Sequence, residues 1–421
     1  MAGRARVLQP QPLHSDRSVK SALPLAFLLT LAPPGPQDPT PLFELVETAP
    51  IETTLDHVEL RDTHEVWPEM IAAARTSLDL GHFYASNVPG SRLEASIVSI
   101  EQAARRGVRV RFLGDKRFAQ TYPDTLARLG AVEGIEVRIL DLSAHTGGVL
   151  HAKYMIADGR EVFVGSQNFD WRALEHIQEL GLRVVDAGVA RAVGDIFDID
   201  WRIASGSDSI EASTPPDPTY SFPTTIGEGD DAVRLTPVFS PKDLLADPEL
   251  WDLPRIVEII DTAQHDVRLQ LLRYRASGRD GSYFDAIENA LRRADARGVE
   301  VRMLLADWSK SKGTIEGLQS LQALPHITVK LSTIPQWSGG FIPFARVIHA
   351  KYLVSDGRRA WLGTSNFSED YFFKSRNVGF VIDGRALAAQ LEGFFEDGWT
   401  SSYAETVDPS ARYEAPRVSE Q

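Results

Sequence analysis

Residues 151–168 read HAKYMIADGREVFVGSQN, and residues 349–366 read HAKYLVSDGRRAWLGTSN. Nine of the eighteen positions are identical, where chance at ordinary composition leaves about one. The copies lie 198 residues apart (349 − 151), close to half of a 421-residue chain. An internal duplication on this scale constrains the fold more than any local propensity does. Two copies of one unit pack most simply about a pseudo-two-fold axis, which brings corresponding segments to one interface.

The blocks around the two copies repeat one pattern. Each begins with an amphipathic helix, VWPEMIAAARTS (66–77) and LPRIVEIIDTAQ (253–264). An apolar strand follows, LDLGHFYAS (78–86) and DVRLQLLRY (266–274). Two helix–strand pairs come next, over 100–115 and 125–142 in the first block and 287–307 and 317–334 in the second. Strands alternating with helices of this length predict an α/β fold: two pseudo-symmetric domains, each a mixed β-sheet flanked by helices. We place a leader at 1–45, the first domain at 46–205, a Ser/Thr/Pro/Gly-rich linker at 206–231, the second domain at 232–405 and a polar, frayed tail at 406–421.

The chain carries a formal charge of −14, which does not favour non-specific binding to long polyanions but leaves room for a local basic groove. It has no cysteine, which excludes disulfides, thiolate metal sites and a cysteine nucleophile. No apolar run is long enough for a transmembrane helix. Arg4, Arg6, Arg17 and Lys20 precede ALPLAFLLTLA (22–32), the order of a signal peptide, although Pro33 sits badly for cleavage. That reading implies a secreted or periplasmic protein. The alternative is a Pro-rich extension on a cytoplasmic one.

Within each copy the sequence predicts a strand, a tight turn at Asp158-Gly159 or Asp356-Gly357, and a return strand. Residues two apart on a strand share a face. His151 therefore points with Lys153, and Ser166 with Asn168; His349 with Lys351 and Thr364 with Asn366 repeat the arrangement. One set is half of a catalytic site, and two sets facing each other make a whole one. Two lysines and two amides would hold the oxygens of a phosphodiester. One imidazole would attack phosphorus, and the other would protonate the leaving alkoxide. Turn geometry alone accounts for Asp158 and Asp356. A lone strand histidine is usually a packing residue, but two with lysine and asparagine at the same offsets are not explained that way. H-x-K sets a cation beside the would-be ligand, so no metal site and no cofactor are expected.

Two H-x-K-x4-D motifs, each followed by Gly-Ser/Thr and Asn, resemble the phospholipase D superfamily, over roughly residues 45–402. GSQNFDWRALEHIQELGL and GTSNFSEDYF look most like its lysosomal and poxvirus-envelope branch. The resemblance implies a phosphohistidine intermediate, with His151 as nucleophile and His349 as acid in the family's commoner order. It also implies an acidic residue that hydrogen-bonds a catalytic histidine. Glu179 stands 28 residues after His151, whereas Asn377 occupies the same offset after His349. Whether Glu179 serves its own repeat's histidine or the facing one stays open. A phospholipid head-group ester is placed first as substrate and a 5′ end of single-stranded nucleic acid second. Phosphatidyl transfer and a non-catalytic binding module follow. Peripheral membrane contact is compatible with the first. Fused repeats favour a monomer.

Several further segments are candidates for the rim of a site. They are His82 with Tyr84 (matched to Tyr274), His145, the basic ARRGVRVRFLGDKR (104–117), WSKSK (308–312) with Trp308, and the Gly-rich IPQWSGGFIPF (334–344) with Trp337 and Phe341. Trp308 offers a stacking surface for single-stranded nucleic acid.

Overall fold

A computed structural model describes residues 41–207, 221–278 and 282–420. Residues 1–40 of the expected leader and 208–220 of the expected linker lie outside the described residues.

Each repeat builds a sheet in the same order. Across the first run Phe43–Thr48, Ile177–Val185, Glu161–Gly165, Lys153–Ala157, Ser77–His82, Arg109–Asp115 and Ile135–Leu140. Across the second run Val233–Ser240, Asn377–Asp383, Arg359–Gly363, Tyr352–Ser355, Asp266–Leu271, Glu300–Ala306 and Ile327–Ser332. The last three strands of each set are parallel to one another. Parallel neighbours need crossovers; the helices Leu93–Arg105 and Pro123–Gly130, then Ala286–Ala296 and Ile315–Gln322, supply them. The motif itself forms the antiparallel hairpin in the middle of each sheet.

Both faces of each hairpin are apolar. Met155 and Ala157 face the outer helices, while Tyr154 and Ile156 join a core shared with the other repeat. That shared core takes Val164 and Leu182 from one sheet, Tyr352, Leu362 and Phe380 from the other, and the helices Ala187–Ile203 and Arg385–Thr400. The boundary between the repeats is thus built like the interior of a single domain.

The two aspartates of the motif are turn residues. Asp158 and Gly159 have φ of 54° and 61°, and Asp356 and Gly357 have 52° and 59°, which is the conformation of a tight hairpin. The carboxylate of Asp158 accepts from the backbone N–H groups of Arg75, Thr76 and Ser77 at 2.9, 2.7 and 3.0 Å. Asp356 does the same for Gln264, His265 and Asp266 at 2.9, 2.8 and 3.1 Å. Burial opposes their ionisation, but these bonds outweigh it and hold both carboxyls below their ordinary range.

Strands run past the boundaries drawn from composition. Phe43–Thr48, read as the end of a leader, pairs with Ile177–Val185. Thr224–Ile226, read as linker, pairs with the start of Val233–Ser240. Ala404–Thr406 pairs with the Ile327–Ser332 strand, and beyond it Val418 accepts from the Phe344 N–H, so the polar tail packs back. Short strands flanked by proline or glycine carry too little periodicity to be seen in sequence. The motif strands, conversely, are shorter than expected: His151, Asn168, His349, Lys351 and Asn366 all lie just outside them.

At the junction, corresponding positions have diverged. Gln178 of the first repeat accepts from Gln270, whose own oxygen takes the Tyr352 hydroxyl, at 2.8 and 3.0 Å. Arg376 occupies the position of Gln178, and Gly81 that of Gln270. Gly81 pairs with Tyr154 as Gln270 pairs with Tyr352. A Cβ at Gly81 would fall 2.5 Å from the Tyr154 ring, so no side chain fits there. Arg376 instead makes an ion pair with Asp200 at 2.8 Å, both side chains without exposed surface, and donates to the carbonyls of Ser240 and Leu244. Gly398 stands where a second Asp200 would be. Removing one member of such a pair strands a buried charge. Arg376→Met should therefore cost about 3–5 kcal/mol in chemical denaturation, and adding Asp200→Leu should restore most of it.

Candidate active site

The two motifs meet at the junction, and each is held from the opposite side. The His151 N–H donates to the Arg376 carbonyl, and the His349 N–H donates to the Gln178 carbonyl, at 2.9 and 2.8 Å. The side chains cross as well. His349 Nδ1 lies 2.8 and 2.9 Å from the carboxylate oxygens of Glu179. His151 Nδ1 lies 3.0 Å from Asn377 Oδ1. Glu179 therefore serves the facing histidine. The Asn377 amide is fixed in orientation, because its Nδ2 donates to the carbonyls of Tyr371 and Ser375. Its oxygen is left for the imidazole and for the Thr364 hydroxyl, which donates at 3.0 Å. Phe83 and Tyr371 flank the His151 ring at 4.9 and 4.8 Å between centroids.

Lys153 and Lys351 are buried, and each ammonium donates to the carbonyl of the histidine two residues before it. Asn366 Oδ1 accepts from the Arg273 N–H at 3.3 Å. Asn168 is buried at the cavity wall with its Oδ1 unpartnered. The Ser166 hydroxyl donates to the Leu180 carbonyl, so Ser166 and Thr364 brace the strands that carry Glu179 and Asn377.

Burial dominates the titration of this cluster. Desolvation, then the two lysines, holds the His151 imidazole well below its ordinary value; Asn377 opposes the shift. Burial, then Lys351, Lys153 and His151, lowers His349. Desolvation brings Lys351 down to about 7 against the pull of Glu179, and desolvation together with Lys351 also holds Lys153 well below its ordinary value, again opposed by Glu179. Burial pushes Glu179 up to about 8, opposed by Lys351 and Ser166. A bound anion would oppose the downward shifts of the two lysines and two histidines and push Glu179 further up.

The cluster opens into a cavity of about 640 Å³. His151, His349, Asn168 and Asn366 lie at its wall, with Phe83, Tyr84, Phe118, Tyr122, Trp308, Phe344 and Tyr371. Arg117, Arg172, Arg273 and Arg275 line it too, a local basic groove on an acidic chain. Of the basic 104–117 segment only Arg117 reaches the cavity, with Phe118 just after it; Arg111 pairs with Asp79 and Asp198, and Arg106 donates to the Ala72 carbonyl.

Other candidates lie elsewhere. His82 is enclosed by Trp67, Phe112 and Phe169, and burial takes it down to about 3. His145 is exposed and outside the cavity lining. Tyr274 corresponds to Ala85, not Tyr84, since each pairs with the phenylalanine after its motif asparagine. Its hydroxyl is bonded to buried Glu288. Trp337 packs on His176, and Phe341 lies under Arg417. Sequence reasoning passed over Phe83, Arg172, Arg273, Arg275 and Tyr371; within the 334–344 segment it singled out Trp337 and Phe341, whereas Phe344 is the ring at the cavity wall. Among the described residues no group of three or more His, Cys, Asp or Glu gathers to hold a metal, and no helix is long and apolar enough to cross a membrane.

A duplicated mixed sheet with two imidazoles, two ammonium groups and two amides at its junction defines a phosphodiesterase scaffold of phospholipase D type. The chain belongs to the phospholipase D superfamily: the family model described as cardiolipin synthase, PLD-like domain, matches residues 68–201 and 256–399. Human 5′-3′ exonuclease PLD3 is 29% identical over 90% of this chain and 84% of its own. The virion nicking-joining enzyme of vaccinia virus (strain Western Reserve) is 30% identical over 86% of this chain and 88% of its own. Phospholipase D Z of Dictyostelium discoideum is 27% identical over 86% and 90%. In fold, the chain is similar to phosphatidylserine synthase of Haemophilus influenzae Rd KW20, with a TM-score of 0.58 at 12% identity over 82% of this chain and 85% of that one.

Lys351 carries its charge below about 7 and loses it above. Binding of dimethyl phosphate, whose own charge is constant between pH 5 and 9, should weaken about tenfold per pH unit above 7. Inhibition constants across that range test this, and Lys351→Gln should flatten the slope.

Proposed function

We propose that this chain is a 5′-exonuclease of single-stranded nucleic acid working through a phosphohistidine on His151. The observation that carries the substrate class is the cavity wall, which aromatic rings and arginines share. That combination suits unpaired bases and their phosphates. The likeness over most of the chain to proteins named 5′-3′ exonucleases supports the same reading. It reverses the order that the superfamily resemblance suggested.

The crossed partners support different tasks for the two histidines. Asn377 takes the Nδ1–H of His151 and leaves the Nε2 lone pair free, while offering no charge to stabilise an imidazolium. Glu179 favours the charged form of His349. His151 Nε2 attacks phosphorus as one ester oxygen departs, and His349 gives that oxygen its proton. Neutral His349 then takes a proton from water, which displaces His151 and frees the phosphate. Lys153, Lys351, Asn168 and Asn366 hold the non-bridging oxygens as charge gathers on them. Asp158, Asp356, Ser166, Thr364 and Asn377 position these groups. One chain carries the whole arrangement, so a monomer suffices, and no step calls on a metal or cofactor.

Hydrolysis of a phospholipid head group is the second reading, favoured by apolar Leu272, Val347 and Phe344 on the same wall and by the likeness to phospholipase D Z. Peripheral contact with a membrane belongs to it. In chelator, purified protein should release nucleotides stepwise from a 5′-hydroxyl oligonucleotide and no choline from phosphatidylcholine vesicles; the opposite outcome transfers the site to the lipid reading. His151→Ala and His349→Ala should each lower turnover at least about a thousandfold. Acid quench should trap an acid-labile phosphoprotein that His151→Ala lacks, and a fully active single variant would refute the two-histidine scheme.

A further inference from the structure

Phe344 stands out on three counts. Its φ is 58°, a left-handed conformation that bulky side chains avoid. Its ring is 45% exposed although it sits on the cavity wall. Arg346, two residues on, has φ of 54°, so the strain is concentrated in one short stretch. Backbone strain of this kind persists only where surrounding structure over-determines it.

The surroundings do so here. The Phe344 N–H donates to the Val418 carbonyl of the tail at 2.9 Å. The Pro343 carbonyl accepts from Arg172 of the first repeat at 3.1 Å. Arg346 donates to the carbonyls of Pro335 and Ile51 at 2.7 Å each, and its N–H donates to the His176 carbonyl at 2.9 Å. Both repeats and the tail thus hold this stretch in place. What they present is one ring edge-on to Trp308, with centroids 6.4 Å apart and planes at 76°.

We propose that Phe344, set against Trp308, is the stacking platform that receives one base of the bound strand and so gives the site its preference for nucleic acid. The inference rests on the exonuclease reading above. An apolar core has no use for a ring turned outward at the cost of a strained backbone, and a base needs a flat, open face at a fixed place. The steep angle keeps the indole from stacking face to face on the phenyl ring, while Arg117, Arg273 and Arg275 line the same cavity for the phosphates.

The test compares Phe344→Gly and Phe344→Leu with the wild type. Substrates are single-stranded oligonucleotides with an abasic site at each of the first four positions, and bis(p-nitrophenyl) phosphate. Glycine relieves the backbone, so its melting temperature should equal or exceed that of the wild type, which separates misfolding from lost recognition. Both variants should lose about tenfold in oligonucleotide kcat/KM relative to the small diester, through KM. One abasic position should cost the wild type the same factor and cost Phe344→Gly nothing more. Equal oligonucleotide efficiency in wild type and variants, or losses that simply multiply at every position, would overturn the platform. A wild type that cleaves the small diester but no oligonucleotide would overturn the exonuclease reading, and the platform with it.

Discussion

The guanidinium of Arg376 has no exposed surface, and much of the molecule hangs on its placement. Its side chain joins the Asp200 helix of one repeat to the Ser240 strand and Leu244 turn of the other. Its backbone carbonyl holds His151, and its neighbour Asn377 holds the same imidazole from the side. One residue therefore couples assembly of the two halves to the alignment of a reactive group. The corresponding contact at Gln178 does this for His349 with neutral amides. A buried ion pair is a costly way to gain stability, but it is stringent about geometry, and the stringency falls on the histidine that Asn377 orients.

The electrostatics follow from the same enclosure. Lysines and histidines gathered out of water disfavour one another's charge, and the Glu179 carboxyl offsets the lysines while hydrogen bonds offset the histidines. Binding of an anion there and protonation of the lysines and histidines would be one linked event. Different partners on otherwise equivalent imidazoles then break the symmetry that duplication left.

The core of this picture was legible in the sequence because it is written twice. His151, Lys153, Asn168 and their counterparts could be set at one junction from the duplication, and the strand–helix alternation yielded a mixed sheet in each repeat but not the order of its strands. The crossing of Glu179 to His349 was not legible, since an offset along the chain does not say which of two pseudo-equivalent neighbours a side chain meets. Tyr84 was matched to Tyr274 at an offset of 190 (274 − 84), one residue more than the 189 by which the first strands correspond (274 − 85), a slip that the shared tyrosine invites. Arg273 was missed, and Trp337 and Phe341 were preferred to Phe344 within the 334–344 segment, because no period marks a residue used singly. Arg376 and Asp200 left a faint signal, opposite charges in otherwise apolar segments, which gains meaning only when the two are known to meet.

The divergence of the junction also decides what may pair with what. Two first repeats brought together would each bury Asp200 against a glutamine, with no guanidinium in reach. Two second repeats would bury Arg376 beside Gly398, with no carboxylate. Each wrong pairing strands two charges, at about 3–5 kcal/mol apiece, while the mixed pairing strands none. The chain has thereby lost the ancestral freedom of its halves to assemble with their own kind. If the halves were expressed as separate polypeptides, they should recognise each other as an obligate heterodimer.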